Sequence, residues 1–228
     1  MLSHRLLKNL DFTVIAVTAL LILISLVIIG SATHINNPGE DRYWYVQRQG
    51  LFAVANILLI FFLLHFDYKS LSKYANILYG INLIMLVAVM LVGQSALGAQ
   101  RWIQIGPINL QPSEFSKLIM IISLAHILEK KQGNLKSFKD LIPIFLFVGI
   151  PFLLVLKQPD LGTSLVFLAI LFGMLFIAGI SMRHLAVIVG GGAAFMPIFW
   201  HFLKDYQKKR LTVFLDPNVD PLGSGYHI

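Results

Sequence analysis

Two short stretches set ionisable side chains against long apolar runs. One reads Gln-Pro-Ser-Glu-Phe-Ser-Lys from Gln111 to Lys117, and the other reads Lys-Gln-Pro-Asp-Leu-Gly-Thr from Lys157 to Thr163. Pro112 followed by Ser113 predicts a helix start, with Ser113 as the N-cap and Glu114 in the first turn, where the helix dipole favours an anion. Glu114 and Lys117 then lie on one face and can pair. Pro159 predicts the first position of the next helix, with Gln158 or Asp160 serving its free N–H groups. Two readings follow. In one, the charges are a structural ion pair and a helix cap; in the other, Asp160 faces Glu114 and Lys117 across a polar cleft. A carboxylate in a first turn can do both.

Arg101 and Trp102 belong to the segment between Gly98 and Lys117, which mixes glycines, aromatics and charge. At a membrane interface tryptophan is an anchor and arginine a headgroup contact. A guanidinium can also hold a pyrophosphate bidentately, and an indole face can stack on a sugar or brace a lipid chain. A third cluster, Lys208, Lys209 and Arg210, opens a turn-rich segment running to Ile228, and its charges suit lipid headgroups or another anionic ligand. Asp216 and Asp220 each precede a proline and read as turns, and the seven histidines are scattered, so no metal ligand is assigned.

The elements that carry these groups follow from composition. Of 228 residues 57% are hydrophobic and 13% charged, where a soluble domain has about 25% charged. With a mean hydropathy of +0.77 the chain reads as a membrane protein. Its net charge of +7 sits in short clusters and forms no continuous basic face, which argues against nucleic acid. The absence of cysteine excludes disulfides, thiolate metal sites and a cysteine nucleophile. Walker, GxGxxG, GxSxG and HExxH motifs are absent. Chemistry is left to carboxylates, amines and guanidiniums.

A charge at mid-bilayer costs about 2.5–3.5 kcal/mol, so uncharged runs mark the spans. Phe12–Gly30, Gln49–Phe66, Tyr74–Gln100, Leu161–Met182 and Leu185–Leu203 each reach the length of a spanning helix. Leu118–Leu128 needs the preceding Ser-Glu-Phe-Ser-Lys turn to cross, and Leu141–Leu156 carries Pro143 and Pro151. The expected fold is therefore all-α, a polytopic transmembrane bundle of about seven helices forming a single membrane domain over residues 1–228. Continuous apolar runs speak against a β-barrel. A cytoplasmic N-terminus places Arg5, Lys8, Lys69, Lys73, Lys130, Lys131, Lys136, Lys139 and Arg183 inside, as the positive-inside rule favours, with Arg42, Arg48, Arg101 and Lys157 in short outer loops. Lys204, Lys208, Lys209 and Arg210 also fall outside but open a longer loop, where the rule has little force.

Gly98-Ala-Gln-Arg-Trp, Gln111-Pro-Ser-Glu-Phe-Ser-Lys, Gln158-Pro-Asp-Leu-Gly-Thr and Asp216-Pro with Asp220-Pro-Leu-Gly-Ser-Gly-Tyr-His resemble the shape, elongation, division and sporulation (SEDS) family, in its order along the whole chain. The last of these is more similar to the rod shape-determining (RodA) branch than to the division branch. The resemblance implies a bacterial inner-membrane protein of ten helices, a glycosyltransferase that polymerises lipid II, the undecaprenyl-pyrophosphate-linked peptidoglycan precursor. It implies a class B penicillin-binding protein and other elongation-complex membrane proteins as partners, and admits a divalent cation, Mg or Mn. Carried over, Arg101 and Trp102 match a functionally sensitive motif on the outer face, Glu114, Lys117 and Asp160 match polar residues of the central cavity, and Arg210 matches a basic position opening the large outer loop. Residues 204–228 then open a large extracytoplasmic loop, and the chain reaches Ile228 before the family's catalytic aspartate and last three helices, an expectation of a partial chain.

On that footing, extending a glycan needs a base for a sugar hydroxyl and charge for the departing lipid pyrophosphate. Arg101, Lys117, Lys157 and Arg210 are expected to supply the charge, with Trp102 beside them and Asp160 or Glu114 as the base. Two other roles remain open: a lipid II flippase, since charged residues within spans also suit a transport path, and a non-catalytic scaffold for the crosslinking partner.

Overall fold

The structure is a computed structural model, and it describes residues 11–33, 43–96, 99–106, 108–131, 135, 137–203, 207–208 and 212–213. It forms two packed units, Met1–Ser70 and Leu71–Ile228. The first holds α1 (Phe12–Thr33) and α2 (Trp44–Leu63). Asp11 starts α1 by accepting from the amides of Thr13 at 2.9 Å and Val14 at 3.4 Å. Its 22 residues bury no side chain in the protein, which is how a helix looks when its surroundings are lipid. In α2, Arg48 lies 5.0 Å from the Trp44 ring centre and 5.7 Å from that of Phe52, one turn to either side.

A 3-10 turn, Tyr68–Tyr74, crosses the boundary at Ser70 and leads into α3 (Ala75–Val92), the first helix of the second unit. Three antiparallel strands follow, β1 (Gln94–Ala96), β2 (Ala99–Ile105) and β3 (Ile108–Leu110), in the order β1-β2-β3. Then come α4 (Pro112–Lys130), α5 (Phe138–Lys157), α6 (Leu161–Ile177) and α7 (Met182–Phe202). The seven helices expected from the charge-free runs are all present among the described residues. Five segments are long and apolar enough to cross a membrane. The helix α6 falls just short at 17 residues, and α4 carries Glu114 and Lys117 near its start. The sheet was not expected. The third span was read through to Gln100, but α3 ends at Val92, and Gly93 turns to an extended conformation that feeds β1.

The core comes from α3 to α6. Leu86, Leu124, Ile144, Phe167 and Leu175 are fully buried, whereas Leu91, Leu118, Leu146 and Leu153 point away from the protein and are mostly exposed. Apolar side chains on both the inner and outer faces are what a bundle solvated by hydrocarbon requires. Polar links set the helix register. Ser123 Oγ donates to the Ala75 carbonyl at 3.0 Å, and Ser72 Oγ lies 2.7 Å from His126 Nδ1. The pairs 75 with 123 and 72 with 126 run in opposite directions, so α3 and α4 are antiparallel and both have one end at the sheet.

Candidate functional site

The β1–β2 ladder pairs Gln94 with Trp102 and then Ser95 with Gln100, so Arg101 is skipped. A residue bulged out of a ladder is freed from the alternation and its side chain is re-aimed. Here the guanidinium reaches the turn between α5 and α6. Its Nε donates to the Gln158 carbonyl at 3.3 Å, Nη2 donates to the Pro159 carbonyl, and Nη1 stands 3.7 Å from Asp160 Oδ1. Carbonyls at the end of a helix lack amide partners and carry partial negative charge, and a planar fork of N–H groups serves several at once.

Asp160 is the N-cap of α6. Its Oδ1 accepts from the Thr163 amide at 3.3 Å, and its Oδ2 accepts from Thr163 Oγ1 at 2.9 Å and from Gln111 Nε2 at 3.1 Å. Gln111 also donates to Ser113 Oγ at 3.1 Å. Gln158, 2% exposed, reaches across to α3 and donates to the Leu86 carbonyl at 3.0 Å. Three segments distant in sequence, the bulged strand, the start of α4 and the α5–α6 turn, therefore close on one carboxylate. Both oxygens of Asp160 are engaged, and its side chain is only 8% exposed, so taking a proton from a ligand requires one of these donors to move away.

Two details of the helix starts differ from expectation. Gln111, in extended conformation, is the N-cap of α4, with Pro112 at the first helical position and Ser113 at the second. The residue before a proline is driven to extended geometry, so the cap must fall there. Pro159 for its part precedes the cap of α6 instead of opening the helix, because the Asp160 carboxylate satisfies the amide of Thr163.

Glu114 and Lys117 form their own pair, with Lys117 Nζ 2.9 Å and 2.8 Å from the two carboxylate oxygens. Glu114 is 53% and Lys117 30% exposed, and no hydrogen bond or ion pair links them to Asp160. The cap geometry turns the Asp160 carboxylate toward its own first turn and toward Arg101, so Asp160 is not paired across a cleft with Glu114 and Lys117. Trp102 is 38% exposed beside Arg101. Lys157 is exposed in the last turn of α5. Arg210, Asp216 and Asp220 lie outside the described residues. Sequence reasoning missed the part played by Gln111. Its signal was present: a glutamine stands directly before the proline in both Gln111-Pro112 and Gln158-Pro159.

A divalent cation finds no fit among the described residues. No three His, Asp or Glu side chains converge there. The two carboxylates at the sheet end each already face a cationic side chain.

The family model FTSW_RODA_SPOVE, described as cell cycle protein, matches residues 11–228. The stage V sporulation protein E of Bacillus subtilis (strain 168) is 35% identical over 225 residues, 96% of this chain and 61% of that protein. The peptidoglycan glycosyltransferase MrdB of Escherichia coli (strain K12) is 38% identical over 213 residues, 92% of this chain and 57% of that one. Among solved structures, a chain from work on the structural coordination of polymerization and crosslinking by a peptidoglycan synthase complex superposes with a TM-score of 0.78 at 31% identity, covering 96% of this chain and 63% of its own. The chain thus spans about three fifths of the length of the relatives it matches. With the order of its helices and its sequence both agreeing, the chain belongs to the FtsW/RodA/SpoVE, or SEDS, family of multi-pass membrane proteins.

Proposed function

We propose that this protein acts in peptidoglycan strand synthesis as a SEDS-type glycosyltransferase of the rod-shape branch, extending glycan from lipid II in the bacterial inner membrane. The observation that carries the reading is the closure of three family-like motifs on Asp160 at one end of the bundle, together with relatives that bear the name peptidoglycan glycosyltransferase. The similarity to a chain of a peptidoglycan synthase complex supports a class B penicillin-binding protein as partner. Within the second unit Lys73, Lys130, Lys131, Lys139 and Arg183 belong to the helix ends opposite the sheet, which supports an extracytoplasmic sheet.

In this reading Arg101, Gln111 and Asp160 are positioning residues that lock the sheet to the helix ends. Trp102, Lys157 and the partly exposed Lys117 are left to meet the sugar and pyrophosphate, and Arg210 is a further cation of the sequence for the same task. Glu114 is the more accessible of the two carboxylates and the better placed to receive a proton. The transferred bond forms between an acceptor sugar hydroxyl and the donor's anomeric carbon, while the lipid pyrophosphate leaves with the electron pair of the broken bond.

The test is polymerisation of fluorescent lipid II by the full-length protein in detergent with its partner, read as a ladder of glycan products. Polymer that disappears in Lys117→Ala supports the reading. Transport of labelled lipid II across partner-free vesicles without any polymer would favour the flippase. Normal wall synthesis by a variant that cannot polymerise, yet still binds its partner, would favour the scaffold.

A further inference from the structure

Inside the helical core, two side chains carry hydrogen-bonding atoms that nothing around them serves. Asn82 on α3 and Ser116 on α4 are both 0% exposed. Asn82 Nδ2, Asn82 Oδ1 and Ser116 Oγ have no hydrogen-bond partner among the described residues. The helix register sets the two at one level. From the contact between Ser123 and Ala75, seven residues forward along α3 lead to Asn82 and seven back along antiparallel α4 lead to Ser116, about two turns in each case and on the same face.

The neighbouring levels of this seam are satisfied. Ser123 donates to Ala75, the Leu86 carbonyl receives Gln158, and Ser113 accepts from Gln111. A buried carboxamide without partners is costly in an apolar interior, so the level at Asn82 needs a further group. A direct bond between Asn82 and Ser116 serves one end of the amide and leaves the other unmet. A metal cation is poorly matched, since this level offers two neutral oxygens, and Asp160 and Glu114 are held by Arg101 and Lys117. Water matches in number and kind. It can accept from the amide N–H and donate to the amide oxygen or the serine hydroxyl, within the two to four partners that internal waters have.

We propose that Asn82 and Ser116 form an internal hydration site between α3 and α4, holding water within the bundle. Ser116 lies one turn below Ser113, whose hydroxyl shares the Gln111 amide with Asp160. The hydrated level is thereby joined by a polar seam to the junction at the sheet end.

Water-edited solid-state NMR on the full-length protein in bilayers, with asparagine labelled by nitrogen-15, tests this. The Asn82 side-chain amide signal, assigned by its loss in Asn82→Leu, is expected to take up magnetisation from water, and Ser116→Val, which fills the space with methyl groups, is expected to abolish that transfer. Should Asn82→Leu fail to fold, Asn82→Ser supplies the assignment. An Asn82 amide that receives nothing from water, or transfer unchanged in a folded Ser116→Val, overturns the proposal.

Discussion

Tyr79 on α3 donates its hydroxyl to the Phe147 carbonyl of α5 at 2.7 Å, and its ring stacks on that of Phe147 with centroids 3.9 Å apart. Phe147 is the residue four before Pro151. In an unbroken helix its carbonyl would accept from the amide of residue 151, which proline lacks. The tyrosine therefore supplies from a neighbouring helix the donor that α5 gives up. In a membrane, where no bulk water can fill that role, such a repair lets proline stand inside a span.

This repair predicts a coupling. Tyr79→Phe keeps the stacking and removes only the hydroxyl, and should cost about 1–2 kcal/mol of stability. In a Pro151→Ala background the helix regains its own amide donor, and the same substitution should cost markedly less. Thermal unfolding of the four proteins of this cycle checks the point, and equal costs in both backgrounds would refute the repair.

The junction at the sheet end predicts a ranking at two positions. Asp160→Asn keeps an oxygen to cap α6 but loses the charge facing Arg101, whereas Asp160→Ala loses both, so alanine should be the worse by about 1 kcal/mol. Arg101→Lys should behave more like Arg101→Ala than like wild type. An ammonium is a point charge and cannot reach two carbonyls and a carboxylate with a planar fork. Limited proteolysis between β2 and α6, followed with lipid II polymerisation on the same samples, should show both effects falling together.

Much of this fold was legible because a charge is so costly in hydrocarbon: the gaps between charges located every helix. The sheet was not legible. Its outer strands have three residues each, too short for any alternation to register, and glycines interrupt the segment. The pairing of Arg101 with Asp160 joins residues 59 apart in sequence, and it depends on a bulge whose register only the folded ladder sets. Pro151 looked in the sequence like a weakness of the fifth span. What repairs it is Tyr79, on a helix that no local pattern connects to it. Glu114 and Lys117 were read as partners correctly, since spacing along one helix is a local fact, while their separation from Asp160 is not.

Gly93 marks where α3 must stop. A Cβ at this position would collide with the Val89 carbonyl oxygen and crowd the Val89 side chain and Gln100, and the Gly93 carbonyl accepts from Gln100 Nε2 at 2.6 Å. Gly93→Ala should shift the start of β1 and with it the register that bulges Arg101. A loss of about 1–3 kcal/mol is expected, with polymerisation falling although the site residues are untouched. Substitution of Gly80, around which nothing lies within 4 Å, should be tolerated in the same assay and serves as the control.

The Glu114–Lys117 pair separates structure from chemistry. Ion pairs three residues apart on an exposed helix face contribute only about 0.3–0.5 kcal/mol, and both side chains are partly exposed. Glu114→Gln and Lys117→Met should therefore unfold within about 1 kcal/mol of wild type. If the pair is only a brace, activity should be equally unmoved; if these groups meet the substrate, polymerisation should fall by orders of magnitude in a protein of unchanged thermal stability. Reversing the pair in Glu114→Lys with Lys117→Glu sharpens the test. The brace survives reversal, whereas a site that needs an ammonium one turn inside α4 and a carboxylate at its mouth does not. Folded reversed protein with full polymerisation would remove Glu114 and Lys117 from the catalytic machinery, and folded inactive protein would place them in it.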